Sequence, residues 1–102
     1  MYKIEYLPLA LQDMEDIARY IAKNLNNIDA AEKLSSYLIK SINKIVDFPY
    51  SNPIYIPIRT LEKEYRKKVM RNYTVFYWIN EIERIVTISR VIYSKRNINN
   101  LL

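Results

Sequence analysis

The spacing of apolar residues in the first half of the chain predicts two helices. A short run at 3–7 alternates apolar and polar residues and favours a first strand. Two helical stripes follow, because apolar residues then recur every three or four positions. The first comprises Ala10, Met14, Ile17, Ile21 and Leu25, and the second Ala31, Leu34, Leu38, Ile42 and Ile45. Asp29 is placed to cap the second helix, and the short turn between the stripes predicts an antiparallel αα-hairpin.

The second half of the chain changes to a period of two. Residues 65–70, 73–79 and 85–93 are rich in β-branched and aromatic side chains, which predicts three strands separated by turns. The run 73–79 is apolar on both faces and should form a central strand, whereas 50–60 should be a loop or irregular edge segment. The order β-αα-βββ predicts a single α+β domain over residues 1–102, with an antiparallel sheet and the αα-hairpin packed on one face.

Three residue types that support most enzyme chemistry are absent from the chain. It has no cysteine, no histidine and no glycine, which excludes thiolate nucleophiles, the usual general base and the glycine-rich phosphate loops. We therefore expect neither a metal nor a cofactor. No apolar run approaches the ~20 residues that a membrane helix needs, and the first residues do not resemble a signal peptide. A cytoplasmic protein without membrane contact is expected.

Charge is distributed unevenly between the two halves of the chain. Residues 1–50 carry six basic and seven acidic side chains, and residues 51–102 carry ten basic and four acidic ones. A basic half suggests a polyanionic partner, although a generally lysine-rich composition would give the same count. The acidic trio Asp13, Glu15 and Asp16 could suggest a metal site, but favourable placement at the positive end of a helix dipole explains it better.

Basic residues cluster on and around the predicted strands. Arg90 lies inside an apolar strand, where it must pair with a carboxylate or reach into a cleft. For Lys63, Lys67 and Arg84 we prefer a role as solvated charges that discourage edge-to-edge aggregation. Tyr93 ends a strand, where its ring could stack on a base or its hydroxyl transfer a proton, although packing alone also explains it. The predicted nucleic-acid contacts are Arg66, Lys68, Arg71, Arg90, Lys95 and Arg96.

Three segments of the chain carry a family resemblance. The helical pattern AxxDMEDIARYIAKNL…DAAEKL and the strands YRKKVMRNYTVFYWI and VTISRVIYSKRN, taken in order, resemble the RelE/ParE-family toxins of bacterial type II toxin–antitoxin systems. These toxins are often described as plasmid-stabilisation proteins. The resemblance implies a compact toxin that is neutralised by a small antitoxin protein covering its basic cleft.

The resemblance also implies two alternative targets. RelE-like members cut messenger RNA in the ribosomal A site without a metal, whereas ParE-like members bind DNA gyrase and have no hydrolytic role. By position, Lys68, Arg71 and Arg96 match the family's basic residues, and Tyr93 stands where many members carry histidine. The expected function is a ribosome-dependent endoribonuclease with these four catalytic residues and with the ribosome and mRNA as partners. A gyrase inhibitor, or a degenerate toxin retained as an antitoxin-binding module, remains the alternative.

Overall fold

The elements of the computed structural model follow the predicted order. The structure describes residues 1–57, 61–96 and 101–102. The strands and helices are β1 (Lys3–Tyr6), α1 (Pro8–Asn24), α2 (Ile28–Asn43), β2 (Arg66–Met70), β3 (Tyr73–Asn80) and β4 (Ile85–Tyr93), and a short 3₁₀ turn (Lys44–Asp47) follows α2. The α+β class and the order β-αα-βββ are confirmed.

The two helices begin at different kinds of residue. α1 begins with Pro8, whose fixed φ and missing N–H suit the first helical position. α2 is capped by Asn27, whose side-chain oxygen accepts a hydrogen bond from the Ala30 amide at 2.9 Å. The prediction that Asp29 caps this helix was wrong, because Asp29 already lies in the first turn, where its charge favours the helix dipole.

The sheet has the order β1-β4-β3-β2. β2, β3 and β4 pair antiparallel through two hairpins, and β3 is central as predicted. One feature differs from the expected sheet: β1 pairs parallel with β4, with Lys3 opposite Ile85, so the sheet is mixed. The two helices and two other strands separate β1 from β4 in sequence, and a connection of that length does not require the antiparallel direction that a tight hairpin would impose.

The helices cover one face of the sheet. Their contact forms a core in which Leu38 and Ile42 of α2 pack with Val75, Tyr77 and Ile88 of the central strands. Burial of each large apolar side chain contributes about 1.5–3 kcal/mol, so this layer supplies much of the stability.

A second segment covers part of the opposite face, and we call residues 48–57 the strap. Tyr55 in the strap contacts the buried ring of Phe76 edge-on, with centroids 5.2 Å apart. The strap also reaches round the edge of the sheet: the Pro53 carbonyl accepts from the Lys67 amide of the edge strand β2 at 3.0 Å, and on the helix-covered face the Tyr77 hydroxyl donates to the Pro49 carbonyl at 2.7 Å. The predicted irregular edge segment is confirmed for residues 50–57, and 58–60 lie outside the described residues.

A largely covered ion pair joins α1 to β4, and we call it the clasp. The Asp13 carboxylate accepts two hydrogen bonds from the Arg90 guanidinium, at 2.7 Å from Nε and 2.8 Å from Nη2. The same carboxylate accepts the Val91 amide at 3.0 Å, beyond the point at which β1 stops pairing with β4. Only 14% of the Arg90 side chain and 11% of the Asp13 side chain are exposed. The clasp therefore holds α1 against the free edge of β4.

Removal of one partner of the clasp should destabilise the protein strongly. Asp13→Ala leaves the largely covered Arg90 charge without its carboxylate and the Val91 amide without its acceptor, so we expect a loss of about 3 kcal/mol in the free energy of unfolding. Asp16→Ala, on the same helix but with 57% of its side chain exposed, should cost no more than about 0.5 kcal/mol. Urea unfolding of the two variants measures the difference, and equal losses would contradict the proposed role of the clasp.

Candidate interaction site at the end of the sheet

The β2–β3 turn and the end of β4 meet at one end of the sheet, which we call the sheet end (residues 71–73 and 93–96). The Ser94 amide donates to the Asn72 carbonyl at 2.8 Å. The Tyr73 and Tyr93 rings contact edge-on, with centroids 5.9 Å apart. Because β3 and β4 are antiparallel, basic residues distant in sequence come together here.

Arg71 occupies the β2–β3 turn with its backbone in the left-handed region, at φ 56°. This conformation costs a non-glycine residue roughly 1–2 kcal/mol. The Arg71 guanidinium lies 3.9 Å from the centre of the Tyr37 ring on α2, and such a contact contributes about 0.5–1 kcal/mol at an exposed position. The side chain is therefore held towards α2.

Lys68 also faces α2. Its ammonium donates to the Ser41 carbonyl at 2.8 Å, in the last turn of the helix, where carbonyl groups lack helical partners. Desolvation by burial, and then the charge of Lys44, lower the pKa of Lys68 below its ordinary value. Its hydrogen bond and its charge both stabilise the carboxyl end of α2.

Two other predicted contact residues are enclosed by the protein. The Arg66 guanidinium donates to the Tyr50 and Asn52 carbonyls, at 3.1 and 2.8 Å, and thereby fixes the strap. Arg90 pairs with Asp13, the first of the two alternatives expected for it, and also donates to the Leu101 carbonyl at 2.8 Å. Both arginines belong to the framework of the fold in this structure, and their predicted contacts with nucleic acid stay predictions.

The partner of Arg90 was missed by the sequence analysis. Favourable placement at the helix dipole, the explanation predicted for Asp13, Glu15 and Asp16, was wrong, because the first turn of α1 holds no acidic residue. An arginine inside an apolar strand was the available signal that a carboxylate must lie opposite, but the sequence did not indicate which one.

A cleft of about 570 Å³ lies between α1 and the sheet end. Its walls are Asp13, Asp16, Ile17, Tyr20 and Ile21 on α1 and Asn72, Tyr73, Val91, Tyr93 and Arg96 on the sheet. Desolvation by burial, with smaller effects of Tyr93 and Tyr20, raises the pKa of Tyr73, so this phenol is neutral at physiological pH. The cleft combines an apolar floor with phenols, the carboxylates of Asp13 and Asp16, and the guanidinium of Arg96.

The four predicted catalytic residues divide into two pairs. Tyr93 and Arg96 line the cleft beside α1, whereas Lys68 and Arg71 contact Ser41 and Tyr37 on α2. Lys95 is exposed in the turn next to Arg96. Across residues 1–57, 61–96 and 101–102, no cluster of acidic side chains is suited to hold a metal ion, and no helix is long and apolar enough to cross a membrane. The catalytic roles stay predictions.

A further polar cluster, not predicted from the sequence, lies at the opposite end of the sheet. Glu81 in the β3–β4 hairpin accepts hydrogen bonds from the hydroxyls of Tyr2 at 2.6 Å and Tyr50 at 2.7 Å. The hydrogen bond that Tyr50 donates to Glu81 is the main reason why the pKa of Tyr50 is raised to about 12. The cluster ties the start of the chain and the strap to the hairpin.

The architecture described above is that of the RelE/ParE toxins. A chain of the chromosomal ParDE toxin–antitoxin system from P. aeruginosa superposes with a TM-score of 0.75 at 10% identity, over 93% of this chain and 98% of that one. The intact Escherichia coli RelBE complex gives 0.60 at 16% identity, over 94% and 100%. Isolated E. coli RelE gives 0.59 at 15% identity and covers both chains fully. At these identities the likeness shows the shared fold.

The family is shown by the sequence itself. Residues 4–98 match the family model described as the ParE toxin of the type II toxin–antitoxin system, parDE. The chain therefore belongs to the ParE toxin family and is the toxin component of a type II toxin–antitoxin module. A search of curated sequences gave no significant match.

Titration of Lys68 tests the contacts at the end of α2. We expect a pKa below the ordinary lysine value, because burial and the Lys44 charge both disfavour the ammonium. Lys44→Gln should raise the Lys68 pKa towards the ordinary value, since it removes the repulsion and leaves the burial unchanged. NMR titration of the lysine side chains measures both values. An unchanged or lower Lys68 pKa in Lys44→Gln would contradict this arrangement.

Proposed function

We propose that this toxin arrests growth by binding DNA gyrase and that it has no hydrolytic role. The observation that carries the proposal is the division of the four candidate catalytic residues between two places. Within the RelE/ParE resemblance, gyrase binding is the activity that needs no catalytic constellation. The basic residues of the sheet end, Arg71, Lys95 and Arg96, would then form a docking surface. A gyrase-binding toxin acts in the cytoplasm, and we place it there.

Cleavage of RNA would require groups that converge on one phosphate. A base must activate the 2′-hydroxyl, cations must stabilise the pentavalent intermediate, and an acid must protonate the leaving oxygen. The Lys68 ammonium is hydrogen-bonded to a helix carbonyl, and the Arg71 guanidinium lies on Tyr37. Both would have to leave these contacts to meet Tyr93 and Arg96.

The electrostatics of the cleft also favour a protein partner. Asp16 lines the same cleft as Arg96, and its carboxylate would repel a phosphate bound there. Asp13 contributes no net charge, because Arg90 neutralises it. A protein surface, which carries charges of both signs, suits this arrangement better than a uniformly anionic backbone does.

We also propose that a cognate antitoxin neutralises this chain. The similar structures include the ParDE system and the intact RelBE complex, in which a toxin occurs with its antitoxin. The second half of this chain carries ten basic and four acidic residues, which favours an acidic partner.

One observation favours ribosome-dependent mRNA cleavage as a second candidate. Tyr93 and Arg96 line one cleft, and the turn that carries Arg71 is hydrogen-bonded to the same end of β4. A rotation of the Arg71 side chain away from Tyr37 would bring a second cation near Tyr93. The ribosome and mRNA would then be the partners.

Charge reversal at the sheet end tests the proposed docking. Lys95→Glu combined with Arg96→Glu should raise the toxin concentration that half-inhibits gyrase supercoiling about tenfold, because exposed cations steer and orient association. Lys63→Glu is the matched control: Lys63 lies over the Trp78 ring at the opposite end of the sheet. It should change the half-inhibiting concentration by less than twofold.

The same preparations should leave mRNA intact in a translating extract. Tyr93→Phe keeps the ring and deletes the hydroxyl, so it should inhibit gyrase as well as the parent does. Cleavage of ribosome-bound mRNA by the parent that falls about a hundredfold in Tyr93→Phe or Arg96→Ala would instead establish the ribonuclease. A parent that affects neither gyrase nor mRNA, and does not slow growth, would support the degenerate toxin.

A further inference from the structure

Arg71 turns the chain at a position that disfavours an arginine. Arg71 and Asn72 alone connect β2 to β3, and the φ of 56° at Arg71 lies in the left-handed region. Glycine or asparagine adopts this conformation at lower cost, because the Cβ of other residues crowds the following carbonyl. What distinguishes an arginine in this turn is the reach of its side chain, which extends across to Tyr37 on α2.

The Tyr37 ring fixes the position of the Arg71 guanidinium. The guanidinium carbon lies 3.9 Å from the ring centroid, which is van der Waals contact, whereas the other cation–ring distances in the described part of the chain lie between 5.1 and 6.0 Å. Tyr37 is itself half-buried and packs against the hydrophobic core. The ring is therefore a rigid support for the guanidinium.

The hydrogen-bonding groups of Arg71 are open to a partner. The residue is exposed, and among the residues that the structure describes its guanidinium forms no ion pair and no hydrogen bond. Lys68 binds the Ser41 carbonyl one helical turn away from Tyr37 and adds positive charge on the same side. The planar N–H fork of an arginine matches the two oxygens of a carboxylate, and a fork already held in place loses little entropy on binding.

We propose that Tyr37 is a positioning residue for gyrase binding and that it presents Arg71 to a carboxylate on the gyrase surface. An aspartate or glutamate side chain of gyrase accepts paired hydrogen bonds from the guanidinium, while the Tyr37 ring covers one face of it. The inference rests on the proposed function and deepens it, because it names the residue that orients one cation of the docking surface and the group that this cation binds.

The same contact has the opposite effect in a ribonuclease. There the ring withholds Arg71 from Tyr93 and Arg96, so its removal frees a cation for the cleft and increases cleavage of mRNA. Docking on gyrase requires the contact instead, so removal of the ring weakens inhibition. The two functions thus predict changes of opposite sign at one residue.

Substitutions of Tyr37 and Arg71 test the inference in a gyrase supercoiling assay. Tyr37→Leu removes the ring and should raise the half-inhibiting toxin concentration about fivefold, and Tyr37→Phe should restore most of the inhibition. Arg71→Lys keeps the charge without the fork and should raise the concentration about tenfold. Ile39→Ala, at an exposed apolar position on the same helix, is the matched control and should stay within about twofold of the parent.

A double-mutant cycle separates positioning from a structural role. If Tyr37 acts through Arg71, Tyr37→Leu should have no further effect in an Arg71→Ala background. Equal losses in the two backgrounds, or parent-like inhibition by Tyr37→Leu, would overturn the inference and leave the gyrase function intact.

The remaining outcomes are equally decisive. Increased mRNA cleavage by Tyr37→Leu would assign the ring to holding Arg71 out of the cleft and would overturn the inference. Should Tyr37→Leu fold poorly, Arg71→Lys still decides, because parent-like inhibition by this variant contradicts a carboxylate fork. A parent that never inhibits gyrase defeats the proposed function and the inference with it, so the parent alone distinguishes the two failures.

Discussion

The ion pair of Asp13 and Arg90 fixes how the helical layer sits on the sheet. β1 pairs with β4 only as far as Ile88, and beyond that point the edge of β4 would expose unpaired backbone groups. Asp13 accepts the Val91 amide there and neutralises Arg90 at the same time. The hydrogen bond to Asp13 outweighs the desolvation of the guanidinium and raises the pKa of Arg90, so the pair stabilises the charged arginine as well as fixing the position of α1. That position sets the α1 wall of the cleft.

The sheet end depends on the same positioning. The α1 residues Ile17, Tyr20 and Ile21 follow Asp13 by one or two turns, and the clasp holds them opposite Tyr73 and Tyr93. The cations that the resemblance associates with catalysis are then distributed by their contacts. Lys68 stabilises the end of α2, Arg71 lies on Tyr37 of that helix, and Arg96 is exposed beside the cleft. This arrangement underlies the docking surface proposed for this member of the ParE toxin family.

Periodicity was enough to predict most of the fold. The predicted strand at 85–93 has the bounds of β4, and the predicted strand at 73–79 ends one residue before β3 does. These bounds were predictable because alternation and turn residues are local signals in the sequence. The parallel direction of β1 was not predictable, since long connections permit either direction. Nor was the bulge in β4, where Phe76 pairs with Arg90 and Tyr77 with Ile88, so that Ser89 is inserted.

The site was predicted less completely than the fold. Clustering in the sequence singled out Arg66 and Lys68 as candidate contact residues. It did not indicate that Arg66 donates to a carbonyl of the strap and Lys68 to a carbonyl at the end of α2. The pairing of Asp13 with Arg90 spans 77 residues, and such contacts leave no periodic signal. The left-handed backbone conformation at Arg71 was not predictable either. Apart from glycine, asparagine is the residue that commonly adopts this conformation, and Asn72, the next residue of the turn, would have been the expected position.

Action on gyrase without hydrolysis is the central claim, and plasmid topology in living cells tests it most directly. After induction of the toxin without an antitoxin, the account predicts that a reporter plasmid loses negative supercoils while the 5′ ends of cellular mRNA stay unchanged. A plasmid that remains normally supercoiled while new mRNA 5′ ends accumulate within translated codons would contradict it.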